Sequence, residues 1–168
     1  MSDLPLFPPF ASLLQRPPQA IARIQGDPSH PALHGVVRFY QTRYGVVVNA
    51  QLRGLPTTED ACRQPVFGFH IHSGGACSGN PEDPFADAGS HYNPGSCDHP
   101  YHVGDLPPLF GCDGMAFSVF LTDRFRLREV LGRAMILHAQ PDDFTTQPAG
   151  MAGARIACGI IRPVRPRR

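Results

Sequence analysis

The chain has 168 residues, a formal net charge of +1 at pH 7 and 42% hydrophobic residues. That length suits one domain able to bury a core of its own, and the balanced charge gives no bulk electrostatic pull toward nucleic acid or a membrane surface. Nineteen prolines and seventeen glycines favour turns and long connections over helices.

Residues 1–18 form a proline-rich N-terminal extension, expected to be extended, with no basic start, no continuous apolar run and no small-residue cleavage site. Without an export signal the expected compartment is the cytoplasm, an extracellular or periplasmic setting being left open. Nothing reaches the length of a membrane span. Residues 19–163 are the domain. Its first strand is Ala20 to Gln25, closed by the turn cluster Gly26-Asp27-Pro28-Ser29. Gly35 to Gln41 and Tyr44 to Arg53 read as a hairpin across a short link. Val66 to His72 is the fourth strand. A connection rich in Gly, Pro, Asp and His then runs from Ser73 to about Gly114, and a loop that long in a compact domain is usually functional. Met115 to Leu121, Arg133 to His138 and Arg155 to Ile161 resume strand character, with a second loop from Ala139 to Ala154. Short strands with long crossings predict an all-β Greek-key sandwich or flattened barrel. All fifteen basic residues are arginines, and the last of them make residues 164–168 a basic tail, read as a solvated end because no aromatic residues are interleaved with it.

The chemistry concentrates in histidine. In Gly68-Phe69-His70-Ile71-His72, alternation along an extended strand sends His70 and His72 to one face, a ready chelate for one ion. His91, His99, His102 and His138 follow, with Asp105 in His102-Val103-Gly104-Asp105. Neutral imidazole suits zinc and copper, and a carboxylate among imidazoles suits zinc. Six histidines are too many for one ion. His30 and His34 lie outside these motifs and read as ordinary strand or loop residues. The five cysteines, Cys62, Cys77, Cys97, Cys112 and Cys158, contain no Cys-x-x-Cys, and their spacing alone does not choose pairs.

Gly-Phe-His70-Ile-His72, Gly-Ser-His91-Tyr-Asn-Pro, His102-Val-Gly-Asp105-Leu-Pro, Leu-His138-Ala-Gln-Pro-Asp142-Asp143 and Ala-Gly-Ala-Arg155-Ile-Ala-Cys158-Gly-Ile-Ile together resemble, in order, the pattern of the copper,zinc superoxide dismutases over about residues 20 to 162. The resemblance implies an eight-stranded Greek-key β-barrel with two long functional loops. It implies copper held by His70, His72, His91 and His138, and zinc held by His91, His99, His102 and Asp105, with His91 bridging as an imidazolate. Asp142 takes the place of the aspartate that links a copper ligand to a zinc ligand, and Arg155 that of the arginine that guides and holds the anion. Cys77 and Cys158 match the family's loop-to-strand disulfide; Cys97 and Cys112 are candidates for a second, leaving Cys62 free. The implied activity is conversion of superoxide to dioxygen and hydrogen peroxide by alternate reduction and oxidation of copper, with Arg155 and His91 catalytic and zinc structural. A homodimer is an implied assembly, through a surface the sequence does not mark.

The chain also departs from the pattern. Only two residues separate His99 from His102, so the alternative is a zinc site with His99 displaced. The second loop is short and lacks the lysines and glutamates that shape a steering field, so slower capture of superoxide is expected. The acidic stretch from Ser78 to Ser90 resembles a lengthened disulfide subloop without an evident function. The other function weighed is a non-catalytic zinc- or copper-binding, metal-delivery domain on the same fold.

Overall fold

The structure, a computed structural model, describes residues 10–60, 62 and 64–165. The strands are β1 (Ala20–Gly26), β2 (His34–Thr42), β3 (Gly45–Arg53), β4 (Val66–Phe67), β5 (Phe69–His72), β6 (Leu109–Phe110), β7 (Met115–Thr122), β8 (Ala134–His138) and β9 (Arg155–Pro163). Two short helices, α1 (Phe10–Leu14) and α2 (Leu127–Val130), lie outside the strands.

Seven strands form one antiparallel sheet in the order β5-β8-β9-β1-β2-β3-β7. β2 and β3 pair without a slip from His34↔Arg53 to Thr42↔Gly45, the expected hairpin across Arg43-Tyr44. Periodicity set this register. Val37 and Phe39 on β2 face the same interior as Val46, Val48, Ala50 and Leu52 on β3, so a one-residue slip would expel the whole set. The sheet curls, and its two ends are joined through the β4–β6 ribbon: β4 runs on into β5, and β6 turns into β7 through the Cys112↔Met115 bridge. Counting β4 and β5 as one strand interrupted at Gly68 gives eight strands, as expected of a Greek-key barrel.

Three local features differ from the sequence reading. The fourth strand is broken at Gly68, whose N–H donates to Gln140 O of the second loop (2.7 Å) and whose carbonyl accepts from His138 N–H (2.8 Å). β6 and α2 lay inside stretches read as irregular; two residues of strand and four of helix are too short to give a period. The N-terminal extension is not extended throughout, because Phe10–Leu14 is helical. Pro17 and Pro18 then stop it, proline having no N–H to continue the ladder. Residues 1–9 of the extension and 166–168 of the basic tail lie outside the described residues.

β8 is buried at all five positions, which explains its unbroken apolar run. Met135 and Leu137 face the barrel core, while Ala134 and Ile136 face a second small cluster with Phe85, Ala88 and Cys158. That cluster lies under the segment tethered by a Cys77–Cys158 disulfide, which joins Cα atoms 5.6 Å apart across a sequence separation of 81. Closing a loop of that length removes disorder from the unfolded chain, about 4.5 kcal/mol on the chain-entropy model.

Candidate metal centre

β5 positions the first two histidines as alternation requires: Phe69 and Ile71 enter the core, and His70 and His72 project from the opposite face, where the two long loops cover them. The first loop is laid along β5 by the bridges His70↔Asp105 and His72↔His91. Ile71 N–H donates to Gly104 O (2.9 Å), Gly104 N–H to Tyr92 O (2.9 Å), and Tyr92 N–H to Ile71 O (2.8 Å). Gly104 is required there, since an added Cβ would lie 2.1 Å from Ile71 O. His138 arrives at the end of β8. A bulge at Ile156 on β9 sets Arg155, rather than the next residue, across from it.

Two groups of ligand-competent side chains result: His70, His72, His91 and His138, and His91, His99, His102 and Asp105, with His91 common to both. In each group the candidate ligand atoms all lie within 4.8 Å of one another. His99 is therefore brought in, despite its short spacing from His102. Gln147 of the second loop does this: its Oε1 accepts His99 N–H (2.9 Å) and its Nε2 donates to His99 O (2.7 Å). Arg124, after β7, grips the same turn by donating from Nη1 to Pro100 O and His102 O, both at 2.9 Å.

Ring tautomers follow from the outer hydrogen bonds. Asp142 sits between the groups, accepting from His70 Nε2 at 2.7 Å and from His99 Nε2 at 2.8 Å on its two oxygens. Each of those rings then keeps a bare Nδ1. His72 and His138 donate from Nδ1 to Gly89 O (2.9 Å) and Gly153 O (3.1 Å), which leaves both Nε2 lone pairs facing each other at 3.3 Å. Two lone pairs at that distance repel unless a cation sits beside them. His91 Nδ1 lies 2.7 Å from Asp105 Oδ1, and the Nδ1 atoms of His99 and His102 lie 3.1 and 3.3 Å from Asp105 Oδ2. Among the described residues only five buried side-chain nitrogen or oxygen atoms lack a hydrogen-bond partner, and four are His70 Nδ1, His91 Nε2, His99 Nδ1 and His102 Nδ1. Buried polar atoms are normally satisfied, so a cluster of orphaned ring nitrogens converging on two points fits two metal ions.

The electrostatics agree. Burial pushes His72 down to about 2 and His138 to about 3, and lowers His70, so all three rings are neutral and able to donate a lone pair to a metal. For Asp105 burial acts upward, but the hydrogen bond with His91 and the neighbouring imidazoles outweigh it and hold the carboxyl below its usual range. Asp142 is likewise lowered: the bonds from His70, Phe144 N–H and His99 overcome its desolvation. Gly150 makes room for this carboxylate, since its φ is +70° and a Cβ would lie 2.0 Å from Asp142 Oδ1.

Arg155 lies beside the first group. Its Nη1 donates to Phe85 O and its Nη2 to Gly89 O, both at 2.8 Å, and Gly89 O is the same carbonyl that orients His72. It is not alone there, for Asp83 Oδ2 of the acidic subloop is 3.4 Å from Nη1. Asp143 points away from the centre, exposed and lowered to about 2 by its bonds from Thr146 and Thr145. Gln147 and Arg124 escaped the sequence reading, having no motif around them, while Asp83 of the acidic stretch and Gly89 of the Gly-Ser-His91 motif were given no role in the centre. The second disulfide is corrected: Cys97 and Cys112 are free, as is Cys62. Cys97 sits in a turn bonded to Asn93, and Cys112 in the turn between β6 and β7, so each is committed to a separate local structure. His30 pairs with Asp27 in the turn after β1 and His34 opens β2, as bland as expected.

An antiparallel barrel carrying two histidine groups with one imidazole in common defines a dinuclear metal protein. The pattern of the family described as copper/zinc superoxide dismutase (SODC) matches residues 33–161. A superoxide dismutase [Cu-Zn] of Photobacterium leiognathi is 34% identical over 142 residues, covering 76% of this chain and 78% of that protein. One from Legionella pneumophila is 34% identical over 140 residues, covering 79% and 80%. Among solved structures, the Cu/Zn superoxide dismutase from Brucella abortus aligns with a TM-score of 0.71 at 26% identity, covering 84% of this chain and 98% of that one. The chain belongs to the copper/zinc superoxide dismutase family. Its cofactors are copper and zinc, and its substrate is superoxide.

Proposed function

We propose that the protein is a working superoxide dismutase in which His70, His72, His91 and His138 hold copper, and His91, His99, His102 and Asp105 hold zinc. The observation that carries the reading is Asp142, which fixes one ring of each group through Nε2 and turns both Nδ1 atoms inward. When bound, copper supplies a centre that accepts an electron from one superoxide and returns it to another, a change zinc cannot undergo. The net reaction takes two superoxide ions and two protons to dioxygen and hydrogen peroxide.

The protein's own residues do the rest. Arg155, its guanidinium held by two backbone carbonyls, offers a fixed positive charge beside the first group and draws in a small anion. His91 faces the first group with Nε2 and the second with Nδ1, and Nε2 is the atom that takes up a proton and gives it back to the reduced substrate. Asp142, through His70 and His99, keeps the rings in one tautomer during turnover. The sparse positive charge around Arg155 supports slow capture of superoxide. The disulfide supports an oxidising compartment for the folded protein, testable by fractionation. A homodimer belongs to the same reading, and sedimentation would distinguish it from the 18.3 kDa protomer.

The test is elemental analysis alongside activity, with His138→Ala for comparison. One copper and one zinc per chain, activity lost on chelation, and a folded but inactive His138→Ala variant are the expected outcome. Full activity in His138→Ala would overturn the site assignment.

A further inference from the structure

The acidic subloop after Cys77 is a small structure built around its own side chains. Asn80 Oδ1 accepts the N–H groups of Glu82 (3.0 Å) and Asp83 (2.8 Å), Asp83 Oδ1 accepts Phe85 N–H (3.0 Å), and Ser78 Oγ donates to Asp87 Oδ2 (2.6 Å). Phe85 packs into the second hydrophobic cluster, which anchors the subloop on β8 and β9. With Oδ1 engaged in its own turn, Asp83 has Oδ2 left over, and that oxygen lies 3.4 Å from Arg155 Nη1.

We propose that Asp83 is a determinant of anion capture that works against Arg155: its carboxylate offsets the guanidinium charge and sets how strongly the Arg155 side of the first histidine group attracts small anions. The inference rests on the reading of Arg155 as the group that holds the anion. Placement of the guanidinium does not need Asp83, because the bonds to Phe85 O and Gly89 O already fix two nitrogens. The ion pair adds charge compensation rather than position. The Arg155 side chain is 21% exposed and that of Asp83 36%, so solvent and salt reach the pair and its influence is modest and screenable. Both Glu82 and Asp87 are exposed, and Asp87 is turned toward Ser78, so among the described residues Asp83 is the one carboxylate paired with Arg155.

The test compares the copper- and zinc-loaded wild type with Asp83→Asn and Arg155→Gln. Asparagine can still accept Phe85 N–H through its carbonyl oxygen, so the first variant removes charge and keeps the turn. Azide, a small anion, is the probe, its dissociation constant read from the copper absorption band, and superoxide capture is followed by pulse radiolysis over a range of salt. In Asp83→Asn azide binds roughly 2- to 5-fold more tightly and capture is faster by a similar factor at low salt, the gain fading at about 1 M salt. Unchanged azide affinity and salt slope would overturn the proposal, as would weaker azide binding, which would make Asp83 a support for Arg155. Arg155→Gln separates the two readings. Weakened azide binding there with no effect of Asp83→Asn sinks this inference alone, whereas no effect of Arg155→Gln sinks the anion-holding role and this inference with it.

Discussion

Replacing Asp142 by asparagine probes the link between the two histidine groups. The carboxylate accepts from His70 Nε2 and His99 Nε2, and Phe144 N–H shares Oδ1 at 2.7 Å. An asparagine has one carbonyl oxygen and an NH2 that only donates, so it can serve one ring and must face the other with a donor. One charge-assisted bond is lost, worth about 2 kcal/mol, and the side chain that oriented that ring is gone. In a protein of this size about 2 kcal/mol is a fall of about 4–8 °C in Tm, read by calorimetry on the metal-free protein. Because one carboxylate serves a ring from each group, both affinities are expected to drop, by roughly 10- to 100-fold, in competition titrations with chelators. Unchanged affinity for both metals, with wild-type Tm, would refute the idea that Asp142 organises the centre. A loss confined to one metal would show that asparagine serves the other ring as well as aspartate does.

Two further outcomes follow from the same geometry. Gln147→Ala removes both hydrogen bonds to the His99 backbone, so zinc affinity is expected to fall by about tenfold with copper affinity less affected, as chelator competition would show; equal losses of the two metals would contradict the clasp. Metal-free protein is expected to lose stability as pH falls below about 6.5. The unfolded chain then binds protons at His72 and His138 that the folded chain, with values of about 2 and 3, does not. Over the whole span from about pH 7.5 to 5.5 each ring contributes roughly 1.4 kcal/mol, so urea unfolding should give a loss on the order of 3 kcal/mol for the two; a flat profile would mean that these rings are not buried without metal.

Much of the centre was legible because its information is local. A histidine at every second strand position places His70 and His72 together whatever the rest of the chain does, and His102-Val-Gly-Asp105 closes one turn in which His102 N–H donates to Asp105 Oδ2 at 3.0 Å. Strand periodicity likewise carried the β2–β3 register and the choice of barrel over helices. What local pattern could not supply were partners distant in the chain. His99 is held by Gln147 and Asp142, 48 and 43 positions away, so two residues of spacing to His102 said little about its fate. Arg155 meets Asp83 only because the disulfide and Phe85 fold the subloop back over β8 and β9. The cysteine pairing shows the same division. Counting thiols left several pairings open, and the course of the barrel brought Cys77 against Cys158 while Cys97 and Cys112 went to separate turns. Sequence alone determined which side chains can bind metal and on which face of β5 two of them lie, since alternation is a property of the backbone. Tertiary structure decided which nitrogens point inward and what charge stands beside Arg155, because hydrogen bonds and Coulomb forces act across space between segments the sequence keeps apart.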